Sequence, residues 1–121
     1  MRYLTKERIK EIRANPDKVN WRSLIFHNGL SCKMLDEFSD RIDWKVASWY
    51  QKLSENLIRK HADQVSWNYI SRRQKLSEGF IREFADRVDW VEINTSQKYV
   101  DREILDQIRK EYELLKEVYT A

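Results

Sequence analysis

Glycine and proline are scarce in this chain of 121 residues, with two and one respectively. A fold made of many short strands needs more turn residues than that, so a mostly helical protein is expected. A glycine-rich phosphate loop is excluded for the same reason. The single cysteine, Cys32, cannot close an internal disulfide, and two histidines, His27 and His61, offer no zinc-ligand spacing. No apolar run approaches the ~18 residues of a membrane-spanning helix. The opening Met-Arg-Tyr-Leu-Thr-Lys-Glu lacks the apolar stretch of a signal peptide, which makes the cytoplasm the expected compartment. Charged residues (36%) and aromatic residues (12%) are plentiful, and the aromatics argue against a disordered chain. The net charge of +3 is spread unevenly, +7 over residues 1–75 and −4 over residues 76–121.

Four tryptophans stand 23 residues apart: Trp21, Trp44, Trp67 and Trp90. Each ends a similar phrase, Lys-Val-Asn-Trp, Arg-Ile-Asp-Trp, Gln-Val-Ser-Trp and Arg-Val-Asp-Trp. A fixed period of this length marks a repeat architecture. Residues 30–52, 53–75 and 76–98 align without gaps, each opening with Leu-Ser. The serine suits a helix N-cap. The apolar residues after it (Met34, Leu35 and Phe38 in the first of these units) fall at helical spacing, predicting a helix A near 32–39 and its equivalents. Asn20, Asp43, Ser66 and Asp89 are capping residues directly before each tryptophan, so tryptophan should open a short helix B that ends near Gln51, Gln74 or Gln97.

Helices of about two turns cannot bury an apolar face alone, and stacking of successive units must stabilise them. The predicted fold is therefore an all-α, short α-solenoid of helix-turn-helix repeats in one domain spanning 1–121. Residues 1–29 form an irregular first unit with about three extra residues near Ala14-Asn15-Pro16, and 99–121 form a longer C-terminal capping helix, roughly Val100 to Val118.

The third unit reads Leu-Ser-Glu-Gly-Phe-Ile-Arg-Glu-Phe-Ala-Asp-Arg-Val-Asp-Trp from Leu76 to Trp90. It resembles a tandem helical repeat of bacteriophages and large DNA viruses, with units close to Leu-Ser-Glu-x-Phe-Ile-Arg-x-Phe-x-Asp-x-Val-Asp-Trp. The likeness is close over 53–98, looser over 30–52 and faint elsewhere. It departs at Cys32-Lys33, at His61 where phenylalanine is expected, and at Ala47 where isoleucine is expected. The resemblance implies a viral origin and a target in the host. It carries no general activity and therefore no catalytic residue.

The residues themselves point away from catalysis. His27 and Cys32 are close in sequence but lack an orienting partner or oxyanion-hole element. The Asp40/Asp43 and Asp86/Asp89 pairs suit caps better than a cation, because Ser66, the counterpart of Asp43 and Asp89, keeps the cap and loses the charge. No catalytic residue, metal ligand or cofactor is assigned. The four tryptophans are assigned to the repeat core, given the Val or Ile two residues before each.

Recognition then falls to positions that vary between units. At ~100° per residue, Trp44, Ala47, Ser48 and Gln51 share one face of helix B while Lys45, Val46, Trp49 and Tyr50 point the other way. The equivalent outward sets are Arg22, Ser23, Phe26 and His27, then Asn68, Tyr69, Arg72 and Arg73, then Val91, Glu92, Thr95 and Ser96. Aromatic and basic side chains of this kind dominate binding hot spots. The candidate partner-binding residues are Phe26, Lys45, Trp49, Tyr50, Tyr69, Arg72 and Arg73, although Trp49 and Tyr69 at the same positions also suit packing against adjoining units. The expected function is non-enzymatic binding and inhibition of a host defence or regulatory protein with an acidic patch. Sequence-independent nucleic-acid binding by the same stripe, and head-to-tail self-association of basic and acidic halves, are the alternatives.

Overall fold

The computed structural model describes residues 2–120, with the side chain of Thr120 outside the description. It is an all-α, helical repeat-like fold: nine α-helices lie among the described residues, with two strand segments of two residues each. The helices are α1 (Lys6–Ala14), α2 (Trp21–His27), α3 (Cys32–Glu37), α4 (Trp44–Tyr50), α5 (Glu55–Lys60), α6 (Trp67–Arg73), α7 (Glu78–Glu83), α8 (Trp90–Ser96) and α9 (Arg102–Thr120). The chain divides into two compact units, one ending at Ser66 and the next beginning at Trp67.

The caps form as their residue types require. Ser31, Ser54 and Ser77 accept from the backbone N–H of Met34, Leu57 and Phe80, opening α3, α5 and α7. Asn20 accepts from Ser23 N–H, while Asp43 and Asp89 each accept from two first-turn amides, opening α2, α4 and α8. Helix A is shorter than the spacing suggested: α3 stops at Glu37, because Phe38 leaves helical geometry and a 3-10 turn, Ser39–Arg41, follows. The three extra residues of the first unit are taken up largely by α1, nine residues long against six for α3. A 3-10 turn, Pro16–Lys18, then restores the approach to Trp21. The last helix begins at Arg102 rather than near Val100, since Val100 is buried and Asp101 accepts from Glu103 N–H.

Both strand segments lie in the first unit: β1 (Arg2–Tyr3) pairs in parallel with β2 (Asn28–Gly29). A Cβ on Gly29 would sit 3.1 Å from the exposed Tyr3 ring, so a larger residue there would require that ring to shift by a few tenths of an ångström. In the first unit Ile12, Ile25, Leu35 and Ile58 are fully buried; in the second, Ile70, Phe80, Ile81, Ile93 and Leu105 are.

The tryptophans tie each helix pair together. Indole N–H groups of Trp21, Trp44 and Trp90 donate to the carbonyls of Pro16, Ser39 and Ala85, five residues back in every case. An aromatic ring 17 residues ahead packs on the indole: Phe38 on Trp21 at 4.9 Å, His61 on Trp44 at 3.8 Å, Phe84 on Trp67 at 5.0 Å. Trp44 is buried, whereas Trp21, Trp67 and Trp90 keep an edge in water and are half-buried.

Candidate interaction surface

Helix B sorts its residues only in part as the helical wheel suggests; on α8, Asn94 at an inward position is exposed. Trp44, Ala47, Ser48 and Gln51 are buried; Lys45 is exposed, and Val46, Trp49 and Tyr50 are half-buried. On α2, Leu24 and Ile25 face inward while Arg22, Ser23, Phe26 and His27 are exposed. On α6, Ile70 and Ser71 face inward while Asn68, Tyr69, Arg72 and Arg73 are exposed.

The inward glutamines do more than end a helix. Gln51, 3% exposed, accepts from Leu30 N–H and donates to the carbonyls of Ile25 and Asn28. Gln97 repeats this in the second unit, accepting from Leu76 N–H and donating to the carbonyls of Ser71 and Gln74. Each amide thus satisfies carbonyls at the C-terminal end of the preceding helix B, where α-helices leave them without partners, and also fixes the start of its own repeat. The strict 23-residue recurrence of glutamine was the available signal, and helical spacing alone reads it only as a helix end.

In the first unit α2 and α4 pack side by side and bring Phe26 and Tyr50 together, ring centroids 4.6 Å apart. His27 meets the other side of Phe26 at 5.0 Å, edge-on. Phe26 remains 49% exposed despite both neighbours. Arg22 stands one turn before Phe26, and Lys45 one turn before Trp49. Among the described residues neither Arg22 nor Lys45 makes an ion pair, and no residue of α2 or α4 carries a carboxylate. The Asp43 side chain is occupied by the amides of Lys45 and Val46.

Helix A presents a different surface in the same unit. Arg13 forms a two-pronged pair with Glu37 at 3.0 Å, and Lys60 meets Asp36 at 2.5 Å. The Arg13 bond, with the neighbouring positive charge, holds the Glu37 carboxyl below the usual range against the opposing effect of desolvation. Arg13 and Lys60 are thus neutralised within the fold, while Arg22 of α2 and Lys45 of α4 are not.

The second unit arranges its outward residues otherwise. Arg72 Nε stands 3.9 Å from a Glu92 carboxylate oxygen, and Asn68 donates to Asp89. Tyr69, Arg72 and Arg73 of this unit, like Trp49 of the first, all have partners in the structure. The structure thus gathers Phe26, His27 and Tyr50 into a cluster, with Arg22 and Lys45 on the same two helices, and gives Arg72 an acidic neighbour of its own.

Residues weighed for chemistry are engaged separately. Cys32 donates to the Lys52 carbonyl, and His27 packs on Phe26. His61 is buried, its Nδ1–H donating to Gln64 Oε1 at 2.8 Å, while its Nε2 has no partner among the described residues. No group of three or more His, Cys, Asp or Glu among the described residues could hold a metal ion. No helix among them is long and apolar enough to cross a membrane. Comparison with family models, curated proteins and solved structures found no match.

Proposed function

We propose that this chain is a non-catalytic binding protein that recognises an acidic macromolecular partner through the outward surface of α2 and α4. The observation that carries the reading is the exposed Phe26–Tyr50 cluster on the same two helices as Arg22 and Lys45, two cations that make no ion pair among the described residues. A large exposed ring beside basic groups is the composition of an interface anchor: the ring supplies apolar area and the cations select acidic partners. The resemblance to phage and viral repeats supports a host protein as the partner, bound in the host cytoplasm, with inhibition of a defence or regulatory protein as the purpose. Lys45, Trp49 and Tyr50 contribute from α4 and Phe26 from α2; Tyr69, Arg72 and Arg73 of α6, in the second unit, are candidate contacts in their own right.

A nuclease-treated pull-down from host lysate, followed by titration of the purified captured protein, tests this. The comparison is wild type against an Arg22→Glu/Phe26→Ser/Lys45→Glu variant checked for folding by circular dichroism. All three side chains are exposed, so the variant should fold. Loss of at least tenfold in affinity is expected. Unchanged affinity in the folded variant refutes the reading. Capture of nucleic acid alone in a parallel pull-down without nuclease, weakening steeply with salt, would put nucleic-acid binding in its place.

A further inference from the structure

The final helix carries an apolar seam longer than the unit it packs against. Leu105, Ile108, Tyr112, Leu115 and Tyr119 recur at alternating spacings of three and four, the pattern by which one helix packs along another. Leu105 and Ile108 are buried, and α9 packs on α7 and α8. Tyr112 is half-buried. Beyond it the seam is bare and is widened by Leu114 and Val118, one position before Leu115 and Tyr119: Leu114 is 62% exposed, Leu115 56%, Val118 72% and Tyr119 83%. The other large exposed apolar side chains among the described residues are Tyr3, Phe26, Tyr69, Val91 and Tyr99, no two of them on one helix.

We infer that the last two turns of α9 pair with the same segment of a second copy, antiparallel, to form a two-fold dimer. The area fits such a contact. The four side chains leave on the order of 500 Å² of apolar surface in water, at the upper end for a monomer. Doubled across a two-fold axis this comes to roughly 1,000 Å², the threshold for a specific but weak interface.

The flanking charges permit self-pairing. Arg109 pairs with Glu113 and Lys110 with Asp106 along the same helix. Residues 109–119 carry Arg109, Lys110 and Lys116 against Glu111, Glu113 and Glu117, so this segment has no net charge to repel its copy. The same balance removes the attraction to anionic lipid on which a surface-lying amphipathic helix depends. Antiparallel pairing follows from coverage: the first half of α9 is already occupied, and only this arrangement points the two occupied halves away from each other.

Sedimentation velocity and light scattering from about 1 to 200 µM test the inference, with the onset placed in the micromolar range by the small interface. The mass should rise from 14.8 kDa towards twice that value and stay raised in high salt. A Leu114→Glu/Val118→Glu variant should remain monomeric throughout with unchanged circular dichroism. In a Cys32→Ser background, Leu115→Cys should cross-link to its copy on oxidation more efficiently than Tyr119→Cys. A wild type that stays monomeric at the highest concentration overturns the inference. So does a folded Leu114→Glu/Val118→Glu variant that associates equally, or association that dissolves in salt.

Discussion

Gln97→Leu removes a side chain whose value lies entirely in its polar end. The amide makes three hydrogen bonds, one accepted from Leu76 N–H at 3.2 Å and two donated at 2.8 Å to Ser71 and Gln74 carbonyls. All four residues are buried, from 0% exposed at Ser71 to 7% at Gln97, so water cannot readily replace the lost partner. Leucine matches the volume roughly and leaves one donor and two acceptors bare. A net hydrogen bond contributes about 1 kcal/mol and an abandoned buried group costs about 1–3 kcal/mol. Allowing for some relaxation of the carbonyls, the loss should be about 3–5 kcal/mol, a large part of the 5–15 kcal/mol typical of a whole domain. Urea unfolding followed by both circular dichroism and tryptophan fluorescence measures it, and hydrogen exchange at the Leu76 amide should rise with it. A Gln97→Leu protein within about 1 kcal/mol of wild type would refute the assignment of these bonds as the fastening of the repeat.

Two further outcomes follow from single residues. His61→Phe restores the ring type found at Phe38 and Phe84, and it removes a buried nitrogen without a partner while forfeiting one bond to the exposed Gln64. A gain of about 1 kcal/mol and a melting temperature higher by a few degrees are expected in a thermal melt; a lower melting temperature would contradict it. Asp89 is held below the ordinary aspartate range first by the Asn68 amide and then by the amides of Glu92 and Val91. Its folded pKa lies below its unfolded one, so its stabilisation is full at neutral pH and fades as the pH falls through the aspartate range. Asp89→Asn keeps a competent cap and should flatten the acid side of the stability-against-pH curve; an unchanged slope would count against it.

The fold was legible where it rests on local rules. Ser31, Ser54 and Ser77, like Asn20, Asp43 and Asp89, act on amides two or three residues ahead, and their type and position suffice to place a helix start. Trp44 and its companions announce themselves by recurrence. Features that reach across a repeat were not legible. Gln97 bonds residues 21 to 26 positions away, and no helical period reports such a contact. The pairing of Arg2–Tyr3 with Asn28–Gly29 is equally non-local and too short to leave an alternating pattern. On the candidate surface, outward direction followed from the wheel, but direction does not reveal neighbours. Arg72 and Lys45 look alike on a wheel, and only the structure shows that one has Glu92 beside it while the other stands without an acid.

The glutamine clasp also governs how this chain can change in length. Because Gln97 reaches back to Leu76, Gln74 and Ser71, the amide closes a ring of backbone that encloses one whole repeat. Adding or deleting a residue anywhere inside that ring shifts every partner out of reach, whereas splicing in a complete Leu-Ser to Gln-Lys unit supplies a new ring with its own fastening. The protein is thus resistant to small insertions and permissive to whole-unit duplication, and variants of different size should differ by multiples of 23 residues.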